Sequence, residues 1–352
     1  MVEGDRPAAA SPGGPAPPAA AGNLFDEQRR NRRDTWLLIG GFVLLLALIG
    51  FGFDLFVIGA VGVANAGGVP IPFPFAASGA ALFGAGSAWV GYRFGDRAVL
   101  ASSFARPVTA DDASAQVKRL MNVVTEMSIA SGLPMPQVHL IDDPDPNAFA
   151  TGRGPEHASI AVTTGLLAAM DRDELQGVVA HEMAHVRNYD IRKMTIVAAL
   201  LGAVLLLSDW GTRFRLGLPT SRDSGGRRRG GGSAGGPLAL VLLALWLLTV
   251  LLTPLIGRLL ATAVSRRREY LADASGAELT RNPLGLAKAL RKLEAAVAPT
   301  ARIHRGTAHL CIADPLGRAV NERDGWLADL FGTHPPIAER IARLEAMGYQ
   351  RR

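Results

Sequence analysis

His181-Glu182-Met183-Ala184-His185 sets two imidazoles four residues apart with a carboxylate between them. On a helix, positions i and i+4 share a face, so both rings can reach one ion. The intervening Glu182 is then placed to take a proton from a water. Zinc suits such a pair because it accepts nitrogen and oxygen ligands tetrahedrally and keeps a position open in catalytic sites. The bland counterpart is a helix that happens to carry two surface histidines. A third ligand is needed, and Glu269 is the best candidate. It lies in Ser265-Arg266-Arg267-Arg268-Glu269-Tyr270-Leu271-Ala272-Asp273, where Glu269 and Asp273 are again i and i+4. That spacing lets the Glu coordinate while the Asp accepts the N–H of a ligand histidine and fixes its tautomer. It equally lets Glu269 pair with the neighbouring arginines at a membrane surface, and spacing alone does not separate the two. Asp190, five after His185, suits either support of the site or a salt bridge to Arg187 or Arg192.

These residues need elements to hold them. A helix is expected to begin at Asp171, with Glu174 completing a capping box, and to run unbroken through 181–185 into the apolar stretch 195–208. Before it, Gln116 to Ala130 carries a helical stripe (Val117, Leu120, Val123, Val124, Met127) and ends at Gly132. The segments 137–141, 148–151 and 159–163 read as short strands between Asp/Pro- and Gly-rich turns. Asn282-Pro283 starts a helix toward Ala296, and Pro336 opens a final one.

The bulk composition points to a membrane. Of 352 residues, 49% are hydrophobic and 19% charged, with a mean hydropathy of +0.20, too apolar for an average soluble domain. Residues 1–33 form an Ala/Pro-rich tail that cannot build a core. Trp36–Phe53 and Phe75–Tyr92 carry no charge and are each long enough to cross a bilayer, giving a two-helix hairpin over 34–93. Leu238–Gly257 is a third uncharged stretch, and 195–262 reads as a second hairpin around an Arg/Gly-rich loop. The catalytic halves are then 94–194 and 263–352. Arg29–Arg33 before the first span, with Arg93 and Arg97 after the second, place the N-terminus and 98–193 in the cytoplasm. The net charge of +6 fits a lipid bilayer as partner, and no base-reading motif supports nucleic acid. The single cysteine, Cys311, excludes an intrachain disulfide and a cysteine-based zinc site.

Several segments together resemble the gluzincin family that contains the bacterial heat-shock protease HtpX and the CAAX prenyl protease 1 enzymes. They are Asn147-Ala148-Phe149-Ala150-Thr151-Gly152, HEMAHVRNYD at 181–190, SRRREYLAD at 265–273, RNPLGLAKAL at 281–290 and THPP at 333–336. The similarity spans about residues 35–348. It implies a mainly α integral membrane protein, with a gluzincin-type α+β catalytic domain, a small β-sheet and about four membrane helices. It implies one zinc ion held by His181, His185 and Glu269, Glu182 as base, and Asp273 supporting a ligand. His334 would help stabilise the oxyanion, and Asn147, Ala148 and Phe149 would lie against substrate. By residue type alone, His334 is equally a helix-start residue and Asn147 a turn residue.

The implied activity is endoproteolysis of misfolded membrane or cytoplasmic proteins by a multi-pass protein of the cell inner membrane, its active site on the cytoplasmic side. A prenyl-protein protease is the alternative within the family. A non-proteolytic zinc adaptor would have no use for Glu182. A transporter would have to use Asp54, the ionisable residue that interrupts the first apolar run.

Overall fold

The computed structural model of the protein describes residues 24–56, 62–66, 69–109, 112, 114–202, 266–296, 307, 310–313 and 335–349. His334, the Arg/Gly-rich stretch and the expected span 238–257 lie outside them. The chain starts with α1 (Leu24–Phe56), the hairpin β1 (Gly62–Ala66) and β2 (Val69–Phe73), and α2 (Phe75–Ser102). Then follow β3 (Arg106–Pro107), α3 (Ala115–Ser131), β4 (Gln137–Ile141), β5 (Ala148–Gly152), β6 (Ala158–Thr163), α4 (Thr164–Ala169) and α5 (Arg172–Arg187). A helix over 190–202 is α6. The remaining helices are α7 (Arg266–Thr280), α8 (Pro283–Ala295) and α9 (Ile337–Tyr349).

Among the described residues one helix, Gln28–Leu55, is long and apolar enough to cross a membrane. Its start at Leu24 makes part of the expected tail helical. Packed against it, α2 is too rich in glycine and alanine to match that hydropathy, and those small residues serve the contact. A Cβ on Gly50 would meet the Ala76 carbonyl oxygen at 2.4 Å, so only glycine permits this approach. Large apolar side chains such as Trp36, Leu44, Phe51, Leu82 and Trp89 remain exposed on the outer faces. Asp54 is fully buried. Its two carboxylate oxygens each accept a backbone N–H at 2.9 Å, from Ala76 and Ala77. The charge thus caps the N-terminus of α2, where orphan donors and the helix dipole both favour an anion.

The second sheet has the order β3-β4-β6-β5, with β4 and β6 parallel and the other pairs antiparallel. Alternation along the strands covers both faces. Val138, Leu140, Ala148, Ala150, Ile160 and Val162 face the core that includes α3, α5 and α8. Ile141, Phe149 and Ala161 face Val99 of α2 and Met194 and Ala198 of α6. The motif helix is therefore held between the sheet and α8, a dry setting in which its polar residues must satisfy one another.

Candidate metal centre

α5 begins as its sequence dictates. The Asp171 side chain accepts from the Glu174 N–H at 2.9 Å, and Glu174 accepts from the Asp171 N–H at 2.8 Å. Lys292 on α8 adds an ion pair to Glu174 at 2.6 Å. Halfway along, a Cβ on Gly177 would meet the Leu286 backbone nitrogen at 2.7 Å, so glycine lets α8 close over the helix. His181, Glu182 and His185 are all buried.

The helix does not continue into the following apolar stretch, as the sequence leads one to expect. It ends at Arg187, Asn188 caps it, and Tyr189 takes φ +60° before α6 begins. Tyrosine in the left-handed region costs about 1–2 kcal/mol, and the break has a clear use. On an unbroken helix, position i+5 lies about 140° round from i. The reversal instead brings the Asp190 Oδ2 to 3.1 Å from the His185 Nδ1. Arg268, at 3.7 Å, is the cation beside Asp190, in place of the Arg187 or Arg192 that the sequence offered.

Glu269 arrives from α7, which crosses α5 closely at Gly276. A Cβ there would lie 3.1 Å from the His181 backbone nitrogen. The carboxylate sits between the two rings, with Oε2 3.6 Å from His181 Nε2 and Oε1 3.6 Å from His185 Nε2. The two Nε2 atoms are 3.2 Å apart. A tetrahedral ion with bonds of about 2.0–2.2 Å has ligand–ligand edges of about 3.3–3.6 Å. The three residues thus fit one zinc-sized ion, and they form the metal-capable group among the described residues.

Each imidazole is backed by a carboxylate. Asp273 Oδ1 lies 3.0 Å from His181 Nδ1, as Asp190 does for His185. In the neutral form of each ring, a proton on Nδ1 toward its carboxylate would leave the Nε2 lone pair facing the centre. Burial would lower the His181 imidazole, but hydrogen bonding to Asp273 and Glu269 outweighs it and pushes the pKa up to about 9. Without metal the ring is accordingly protonated at neutral pH, and the centre carries compensating charge. Burial would likewise raise the Asp273 carboxyl, yet the neighbouring Arg340 guanidinium holds it below the usual range.

Arg340 is the residue that sequence reasoning missed. It projects from α9 and is fully buried. It makes a two-pronged contact with Asp273, Nε to Oδ2 at 2.8 Å and Nη2 to Oδ1 at 2.7 Å, and its Nη1 donates to the Ile312 carbonyl at 3.2 Å. Glu269 Oε2 lies 3.5 Å from Nη1. An arginine on an amphipathic terminal helix carries no local sign of such a role.

Glu182 is 1% exposed, and its Oε2 has no hydrogen-bond partner among the described residues. Burial pushes its carboxyl above the usual range, against the opposing pull of His181 and His185, while the Ala150 N–H donates to it. The base candidate therefore faces the outer edge of β5. Asn147, Ala148 and Phe149 are buried at that edge. Asn147 Nδ2 donates to the Ala313 carbonyl at 3.1 Å, Ala148 O accepts from Ile312 N–H at 2.9 Å, and Phe149 bridges to Cys311. Of the other histidines, His139 lies in β4 and His157 pairs with Arg153, and neither joins the cluster.

Two histidines and a carboxylate with a buried glutamate beside them, on a domain tied to a membrane-length helix, are the parts a metal-dependent peptidase requires. Comparison with known proteins agrees. The model of peptidase family M48 matches residues 114–348. A Protease HtpX homolog of Tropheryma whipplei (strain TW08/27) is 43% identical over 329 residues, covering 91% of this chain and 97% of that protein. Another, of Thermoanaerobacter pseudethanolicus (strain ATCC 33223 / 39E), is 40% identical over 332 residues, covering 92% and 98%. The crystal structure of S. mikatae Ste24p aligns with a TM-score of 0.44 and 19% identity, over 91% of this chain and 66% of that one, a likeness too low to carry fold or function. The chain belongs to peptidase family M48, and it is a membrane metalloprotease.

Proposed function

We propose that this protein is a zinc endopeptidase that cuts misfolded membrane or cytoplasmic polypeptides at the cytoplasmic face of the cell inner membrane, which it spans several times. The observation that carries the zinc reading is the triangle of His181 Nε2, His185 Nε2 and Glu269, with 3.2 and 3.6 Å edges matching a tetrahedral ion. Zinc, when bound there, supplies Lewis acidity to a water and to the scissile carbonyl. Glu182 takes the proton from the attacking water and delivers it to the leaving amine nitrogen. Its burial supports this role, because a desolvated carboxylate is a stronger base. Asp273 and Asp190 keep the two imidazoles in the tautomer that faces the centre. His334 adds a donor toward the developing oxyanion. Support for that role comes from the family resemblance and from α9, which follows His334 and delivers Arg340 to the centre.

Substrate backbone adds along β5, beside Glu182. Asn147, Ala148 and Phe149 then line it, and the substrate takes the place of the 310–313 segment that pairs there. The resemblance to HtpX in length and number of apolar segments is what favours unfolded polypeptide over a prenylated chain end. Asp54 accepts two backbone N–H bonds as a cap of α2, which supports a structural role for it over the one a transporter would need.

The test uses full-length protein purified in detergent. An unfolded model protein is cleaved, a chelator stops cleavage, and added zinc restores it. Inertness toward unfolded protein, with cleavage of a prenylated peptide under the same conditions, would shift the reading to the prenyl-protein alternative. Cleavage that survives complete metal removal would end the metallopeptidase mechanism.

A further inference from the structure

The N-terminal turns of α1 lie ahead of its uncharged run from Trp36, and their arginines face outward. Arg29, Arg30, Arg32 and Arg33 are exposed, whereas Asn31 and Thr35, one turn apart, are buried. That inner face docks on the break between α5 and α6. Gln28 Nε2 donates to the Arg187 carbonyl at 2.9 Å, and Asn31 Nδ2 donates to the Asn188 carbonyl at 2.9 Å. The same Asn31 nitrogen donates to Asp190 Oδ1 at 2.7 Å, while Asp190 Oδ2 holds His185 Nδ1 at 3.1 Å. Both amide hydrogens are used. A carbonyl and a carboxylate can only accept here, so a flipped amide would turn its oxygen on two acceptors, which fixes the orientation. Without Asn31, the nearest cation to Asp190 Oδ1 among the described residues is Arg268 at 3.7 Å, beyond hydrogen-bond reach.

We propose that Asn31 is a positioning residue for His185, acting through Asp190, so that the first membrane helix is a working part of the metal centre. The inference rests on the zinc reading above. It goes beyond it by assigning a role to a residue outside the 114–348 family match. Physically, an aspartate fixed at one oxygen presents the other in a single direction. An aspartate free to rotate holds the imbalance in the imidazole instead, and the ligand nitrogen wanders from the centre.

The test is zinc affinity of the full-length detergent-purified protein, measured by competition with a chromophoric chelator. Asp190→Ala is expected to weaken zinc roughly 10–100-fold, and Asn31→Ala about tenfold, toward the lower end of that range. Gln28→Ala removes a neighbouring docking contact without touching Asp190, and is expected to bind zinc as the wild type does. In an Asp190→Ala background, Asn31→Ala is expected to add nothing. If Asn31→Ala does not fold, Asn31→Ser retains one donor in a smaller side chain and is expected to show a lesser loss in the same direction. Wild-type affinity in the Asn31 variant that folds overturns the proposal. So does an equal loss in Gln28→Ala, or an undiminished further loss on top of Asp190→Ala. A wild-type protein that binds no zinc would sink the metal reading itself, an outcome distinct from any of these.

Discussion

Arg340→Met removes the guanidinium that joins α9 to Asp273 while keeping an apolar side chain of similar length. The cost follows from what stays behind. Asp273 is 3% exposed and loses two charge-assisted hydrogen bonds, at 2.8 and 2.7 Å. Taking one partner from a buried ion pair costs about 3–5 kcal/mol. The lower end applies here, because His181 still faces Asp273 at 3.0 Å and is protonated in the metal-free protein. A loss of about 3 kcal/mol is a large share of the usual 5–15 kcal/mol of folding stability. At about 2–4 °C per kcal/mol for a domain of this size, the melting temperature should fall by roughly 10 °C. Thermal unfolding of metal-free protein in detergent, followed by tryptophan fluorescence, is the assay, with metal left out so that binding does not mask the change. Arg340→Lys keeps the charge but not the fork, and should lose about half as much. Asp273→Asn combined with Arg340→Met should cost less than the two singles together, by about 0.5–3 kcal/mol. An Arg340→Met protein that melts with the wild type would refute the reasoning, as would strict additivity in the double variant.

Asp54→Ala should lower thermal stability by about 1–2 kcal/mol, the usual worth of a helix cap, and leave the cleavage rate per folded molecule unchanged. A loss of cleavage without loss of stability would give Asp54 a role other than capping. The metal-free protein should also lose stability as pH rises. The folded His181 imidazole, at about 9, lies above its unfolded value of about 6.5. Its contribution is therefore complete below pH 6.5 and disappears through pH 9, a change on the order of 3 kcal/mol. Melting temperatures of chelated protein between pH 6 and 9.5 check this, and a flat profile would contradict it.

Features set by local signals were legible in the sequence, and features set by distant contacts were not. The capping box at Asp171, the glycine cap at Gly132 and, to within a residue, the limits of β4, β5 and β6 are set by neighbouring residues and read directly, whereas β1, β2 and β3 were not anticipated. The spacing of His181, His185, Glu269 and Asp273 is helical and equally legible, although only the resemblance separated a ligand Glu269 from one paired with arginines. The break at Asn188-Tyr189 was not legible. It has neither glycine nor proline, and a tyrosine in the left-handed region is held there by the contacts around it. Asn31 and Arg340 share that difficulty, and Asp190 could be read only as either a support of the site or a salt-bridge partner. Each is a polar residue on a helix that reads as solvent-facing until another element closes over it. The carboxylates behind the two imidazoles thus divide by origin: Asp273 could be found by counting along one helix, whereas Asp190 required the chain to fold back.

If Glu182 is the base of a metal-dependent hydrolysis, Glu182→Gln is the variant that exposes it. The amide keeps the shape of the side chain and gives up its basicity. The variant is expected to bind zinc with wild-type stoichiometry and to cleave unfolded polypeptide at least about 100-fold more slowly, the smallest loss expected for a general base. Zinc-loaded Glu182→Gln protein that cleaves within a few-fold of the wild type would contradict it.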